Sequence, residues 1–233
     1  MKTKTIQIDA GHQQSFGAYV AVPDFPNGRA IVVAQEIFGI TPYIKDVAER
    51  YARDGYLAIA PDLFWRVEGG LSLTHSKVDM QRALAILAGF SEDLGIQDIE
   101  QAVVWAKAQQ GISGVALVGM CLGGKLAWLA AARLPIAASI SFYGVGIEKD
   151  LDEANKLKVP LLMFFGGKDK YAPAPVRDQI NAAVAGKKNV SMRVYEDADH
   201  GFYTRGEAAD IKSAHAEALD FLNQHMQAGG TKT

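Results

Sequence analysis

Cysteine is almost missing from this chain: of 233 residues, only Cys121 carries a thiol. No intrachain disulfide is possible, which fits a reducing, cytoplasmic setting, and metal clusters built on several cysteinates are excluded. Long apolar runs are missing as well. None reaches the roughly eighteen residues that a membrane span requires, and the opening stretch Met1–Gln7 has no apolar core of a signal peptide. Neither sign of charge dominates, since 24 Lys and Arg face 26 Asp and Glu for a net charge of −2. No basic stripe stands out, so neither nucleic acid nor an anionic membrane is an expected partner. Repeats, charge blocks and low-complexity linkers are absent too. What remains, with 49% hydrophobic residues, is ordinary for a soluble globular protein. A chain of this length buries about 70–75% of its extended surface, and one domain over residues 1–233 is expected.

The pattern is that of an α/β protein. Thr5–Asp9 and Ser15–Val22 read as an antiparallel hairpin around a polar turn. Buried strands follow at Ala30–Ala34, Tyr56–Ala60, Val115–Gly119, Ala137–Phe142, Leu161–Phe165 and Val190–Tyr195. Between them helical periodicity appears over Pro42–Arg53, Asp79–Phe90, Ile96–Gln109, Leu126–Arg133 and Pro175–Ala185. A closing helix runs from Glu207 to about His225, and the tail beyond it is expected to fray. Val67–Ser76 reads as a long loop. Alternating strands and helices after a hairpin predict a mostly parallel sheet with helices on both faces and active groups at the strands' carboxyl ends.

One of those strand ends is unusual. The apolar run at Val115 stops at Gly119-Met120-Cys121-Leu122-Gly123-Gly124, and a helical pattern begins directly afterwards. Gly-x-Cys-x-Gly between a strand and a helix is the context of a nucleophile elbow, with cysteine in place of serine. A free thiol titrates near about 8.5, so it needs a base beside it or a helix N-terminus. Two candidates lie past later strands: Asp169 after Leu161–Phe165, and His200 after Val190–Tyr195. The chain order is nucleophile, acid, histidine, as in α/β-hydrolases. Asp197 and Asp199 flank His200 and are the alternative acids, with Asp169 favoured by topology. His12, His75, His215 and His225 have no strand-end context; the first two read as loop residues and the last two as solvent-facing positions on the closing helix. Glu36 follows a buried strand directly, beside Ile37. There the backbone N–H groups of Ile37 and Leu122 would converge as an oxyanion hole.

Taken together, Ala34-Gln35-Glu36-Ile37-Phe38-Gly39, Pro61-Asp62-Leu63, the cysteine elbow, Phe142-Tyr143-Gly144-Val145-Gly146, Gly166-Gly167-Lys168-Asp169 and Asp199-His200-Gly201-Phe202 resemble the dienelactone hydrolase (carboxymethylenebutenolidase) family. The resemblance implies an α/β-hydrolase fold and a Cys121, His200, Asp169 triad. It also implies an oxyanion hole at Ile37 and Leu122, with Glu36 accepting the thiol proton. The implied reaction opens an unsaturated lactone bearing a carboxylate, in the breakdown of chlorinated catechols, with no cofactor and no metal. The family's two carboxylate-gripping arginines fall near Met80 and Thr204 here. The substitutes are Arg82 and Arg205, and Tyr143, Phe38, Trp65 and Phe202 are candidates for an apolar substrate pocket. The expected partner is therefore a small lactone or ester that carries a carboxylate if those arginines serve. The rivals are an acyltransferase or peptidase-like thiol enzyme on the same fold, and a non-catalytic member that binds or senses redox state through Cys121.

Overall fold

The computed structural model describes residues 1–226, so the expected fraying of the tail lies outside the described residues. The chain divides into two compact units, the first covering Met1–Val115 and the second running from Ala116 through the last described residue. Among the described residues no helix is long and apolar enough to cross a membrane.

The first unit opens with β1 (Lys2–Gly11) and β2 (Gln14–Val22), which pair antiparallel around a turn whose His12 and Gln13 both take positive φ. The hairpin begins three residues earlier than the sequence pattern indicates. Lys2–Thr5 are exposed yet still find ladder partners on β2. β3 (Arg29–Ala34) and β4 (Leu57–Pro61) pair parallel, and β2 pairs antiparallel with β4, so the order in this unit is β1-β2-β4-β3. The helix α1 (Pro42–Arg53) starts where Pro42 supplies a pre-set φ and Thr41 accepts a hydrogen bond from the Ile44 N–H, a cap worth about 1 kcal/mol. Its Ile44, Val47, Ala48, Tyr51 and Ala52 are buried, the stripe expected of an amphipathic helix. A single turn, α2 (Trp65–Glu68), occupies what reads in sequence as the start of a long loop. Then come α3 (Lys77–Ala88), capped by Ser76, and α4 (Glu92–Lys107), capped by Ser91.

The second unit is a parallel array. β5 (Gly114–Met120), β6 (Ser139–Phe142), β7 (Leu161–Gly166) and β8 (Val190–Tyr195) lie in chain order, each hydrogen-bonded to the next. β6 and β7 are buried along their whole length; in β7 this appears as an unbroken apolar sequence, while β6 buries Ser139 and Ser141 within it. α5 (Leu122–Arg133), α6 (Ala174–Ala183), a short turn α7 (Phe202–Arg205) and α8 (Ala208–His225) complete it, with two 3-10 segments at Ile147–Lys149 and Leu151–Lys156.

Helix α5 corrects the sequence reading. Its first turn already contains Gly123 and Gly124, whereas glycine's poor helix propensity makes them look like loop. A Cβ placed on Gly119 would sit 1.8 Å from the Gly123 carbonyl oxygen. Strand end and helix start therefore touch backbone to backbone, and only residues without side chains permit that contact. Gly119→Ala is expected to destabilise the fold by about 3 kcal/mol through overpacking. Urea denaturation with an unchanged slope and a lower midpoint is the measurement, and a midpoint equal to the parent's refutes it.

Candidate active site

Cys121 occupies the position between β5 and α5, with φ 56° and ψ −112°. This is a conformation that L-residues avoid, and strain of this kind costs about 1–3 kcal/mol unless the surroundings impose it. Here they do. The Cys121 N–H donates to the Phe142 carbonyl at 3.0 Å, and its carbonyl accepts from Lys125 and Val145. The side chain is partly exposed at the N-terminus of a twelve-residue helix, where the peptide dipoles favour negative charge on sulfur. Leu122 is the first helical residue, so its N–H has no intrahelical acceptor.

Asp169 and His200 come together through the loops that follow β7 and β8. The Gly167 N–H donates to the Tyr195 carbonyl at 2.7 Å, and the Lys168 N–H to that of Ala198 at 3.0 Å. Added Cβ atoms on Gly166 and Gly167 would lie 2.4 Å and 2.3 Å from the carbonyl oxygens of Ala198 and Glu196. The two glycines thus let one loop lie flat on the other. The result is a hydrogen bond of 2.8 Å between His200 Nδ1 and Asp169 Oδ2. A carboxylate only accepts, so Nδ1 carries the proton and Nε2 is left as the basic nitrogen. Asp169 is 2% exposed, and its other oxygen accepts the N–H groups of Tyr171 and Ala172. Asp197 instead pairs with exposed Lys168, and Asp199 faces solvent.

Two residues that sequence reading overlooks lie against this arrangement. Arg177 is buried, and its guanidinium Nη1 donates to the carbonyls of Gly166 and Ala172 at 3.0 and 2.8 Å, bracing both ends of the Asp169 loop. Tyr171 sets its ring 4.8 Å from the His200 imidazole, edge to face, while Tyr143 does the same at 4.9 Å. Neither signal is visible in one dimension, because a helix arginine and a loop tyrosine are unremarkable there.

The remaining candidates divide between the units. In the second, Tyr143 is fully buried with φ 40°, and its hydroxyl donates to Thr204 at 3.1 Å. Phe202 is buried and stacks on Tyr195, whose hydroxyl is pushed up to about 12 by burial and by its bond to Glu217. The Arg205 guanidinium folds back against Gly201 and donates to Thr204. His215, expected to face solvent, hydrogen-bonds the Tyr203 hydroxyl at 2.7 Å.

In the first unit, Glu36 is 1% exposed just past β3, and Ile37 is partly exposed. Phe38 is buried with its ring 4.2 Å from that of His75, whose Nε2 lies 4.0 Å from the Glu36 carboxylate. In sequence His75 has the look of an ordinary loop residue; backbone bonds from Ile40 to Leu71 and from Leu73 to Phe38 bring its loop to Glu36. Trp65 stacks on Phe16 and donates its indole N–H to buried Asp98. Burial pushes that Asp98 carboxyl up, while bonds from Arg66 and Trp65 pull against the rise. Arg82 is ion-paired with Glu68 on the surface.

The sequence profile of the dienelactone hydrolase family matches residues 16–228. The chain belongs to the dienelactone hydrolase family. It is 35% identical to carboxymethylenebutenolidase of Pseudomonas putida over 228 residues, covering 95% of this chain and 97% of that one. It is 34% identical to carboxymethylenebutenolidase 1 of Cupriavidus pinatubonensis, with 84% of each chain covered. Among solved structures, an alpha/beta hydrolase from Penicillium sp. sh18 superposes with a TM-score of 0.76 at 14% identity, over 98% of this chain and all of that one. A dienelactone hydrolase-like promiscuous phosphotriesterase from metagenomic libraries superposes with a TM-score of 0.80 at 17% identity, over 96% and 98%. The fold is that of the α/β-hydrolases, a mostly parallel sheet with an antiparallel leading pair, and this family member is a hydrolase.

Replacing Arg177 by Met removes the donor of the Ala172 carbonyl and leaves the Gly166 carbonyl with the longer bond from the Asp169 N–H at 3.3 Å, where one buried unsatisfied group costs about 1–3 kcal/mol. Arg177→Met is expected to lower the midpoint of thermal unfolding by several degrees, and a melting curve superimposable on the parent's would contradict the bracing role.

Proposed function

We propose that this dienelactone hydrolase family member opens lactones or cleaves activated esters through Cys121, His200 and Asp169, by way of an acyl-thioester. The observation that carries the reading is the 2.8 Å Asp169–His200 contact, in the same unit as a cysteine strained at a strand-to-helix elbow. The family relationship supports the substrate class, because its relatives from Pseudomonas and Cupriavidus are carboxymethylenebutenolidases.

In this proposal the sulfur proton passes to Glu36, and the thiolate attacks the carbonyl carbon. The carbonyl π electrons move to oxygen, where the N–H groups of Ile37 and Leu122 receive the charge; one such donor is worth about 3 kcal/mol in a transition state. The C=O bond re-forms as the ring C–O bond breaks, and the departing oxygen takes the proton from the Glu36 carboxyl. Water then gives a proton to His200 Nε2 while its oxygen attacks the thioester. The C–S bond breaks, the carboxylic acid leaves, and the imidazolium returns its proton to sulfur. Asp169 keeps the imidazole in the tautomer this requires and supports its positive form. Such a thiol needs a reducing compartment, and a cytoplasmic location follows from this proposal.

Arg205, beside Gly201, is the better of the two arginine candidates, because Arg82 is held by Glu68 on an exposed helix face. A role in the breakdown of aromatic compounds is proposed on the family relationship alone.

Cys121→Ala is expected to abolish hydrolysis of dienelactone and aryl esters, and wild-type turnover by that variant refutes the thiol mechanism. Asp169→Asn should keep the fold and lose about 10⁴ in kcat, the scale seen when a triad histidine loses its carboxylate; steady-state kinetics reads it. If Arg205 grips a substrate carboxylate, Arg205→Ala raises KM for dienelactone and leaves KM for a neutral aryl ester unchanged. Equal changes for both substrates contradict that role.

A further inference from the structure

Two aromatic rings flank the imidazole of His200, and they differ in one respect that bears on the substrate. Tyr143 is fully buried, so its ring reaches His200 from the protein side. Tyr171 lies as close, with ring centroids 4.8 Å apart, yet it is 47% exposed. It is the aromatic of the pair that reaches solvent next to the proposed base, with the ammonium of exposed Lys170 5.2 Å from its ring centroid.

The position of Tyr171 is fixed by its backbone. Its N–H donates to Asp169 Oδ1 at 2.8 Å, Ala172 behind it is buried, and the Ala172 carbonyl is gripped by Arg177. An anchored backbone with a half-open ring costs little further entropy when a ligand covers it, since a tyrosine ring has few rotatable bonds. Burying the open part of such a ring against a flat π-surface gains area and offset-stacking energy, which a puckered ring of equal size cannot fully match.

The geometry points to Tyr171 as a specificity-determining residue, an aromatic platform that selects planar, conjugated acyl groups over saturated ones of the same size. This rests on the reading of His200 as the general base, because only then does a group touching the imidazole also border the acyl carbon. The phenolic hydroxyl has no part in it.

The test uses two p-nitrophenyl esters with one leaving group, the benzoate and the cyclohexanecarboxylate, on the parent, Tyr171→Phe and Tyr171→Leu. The parent should favour benzoate. Tyr171→Leu should raise KM for benzoate about five- to tenfold, with kcat changed less than twofold and KM for cyclohexanecarboxylate unchanged. Tyr171→Phe should retain the parent's preference. Losses that are equal for both esters, or that fall on kcat, mean that Tyr171 merely supports Asp169 and His200, and overturn the platform. Unchanged kinetics in Tyr171→Leu overturn it too. His200→Ala, assayed alongside, separates the two ideas: if that variant keeps parental activity, the general-base reading itself fails and the platform falls with it.

Discussion

A buried carboxylate holding one nitrogen of an imidazole, 2.8 Å away, is the contact around which the second unit is arranged. Asp169 is almost wholly removed from water, and a carboxylate so placed is tolerated only when its oxygens are occupied. They are occupied by His200 on one side and by two backbone N–H groups of its own loop on the other. The loop is shaped so that these N–H groups converge, and Arg177 ties its ends. The paired glycines Gly166 and Gly167 allow the neighbouring loop to carry His200 into place. Without that close approach, acid and base would end on adjacent strands with no contact between them.

The elbow shows the same economy of space. Cys121 keeps an unfavourable φ because the backbone bonds around it, to Phe142, Val145 and Lys125, can form only in that conformation. Tyr143, at the end of the adjacent strand, is the other non-glycine residue with positive φ among the described residues of this unit. Strain in both places is borne by fully buried strands, whose packing holds it at little risk of local relaxation. In the proposed mechanism, rigid strands and a strained strand end present the nucleophile the same way at each turnover.

The arginines and aromatics around the proposed chemistry are less uniform in their engagement. Arg82 is committed to Glu68, Arg205 lies along Gly201, and Trp65 spends its indole N–H on Asp98. Phe202 and Tyr143 are buried. Engagement of that kind fixes shape, so any of these side chains that also touches substrate does so from a position its internal partners set.

Much of this was legible in one dimension, for identifiable reasons. Strands buried on both faces appear as unbroken apolar runs, which is why β4, β5 and β7 stand out in the sequence. Pro42 after Thr41 marks the start of α1 to the residue. The glycines at 119, 124, 166 and 167 record close backbone contacts that any side chain would block. Local chemistry of that kind determined the α/β class, the elbow, and the candidate acid and histidine at strand ends. What only the tertiary structure decided was which groups meet: that Asp169 rather than Asp197 or Asp199 takes the imidazole, that Arg177 braces the loop, that His75 comes beside Glu36, and that Tyr171 borders His200 with its ring open. Periodicity and turn residues are properties of neighbours along the chain. A contact between loops depends on how whole strands stack and cross, and no short stretch of sequence carries that information.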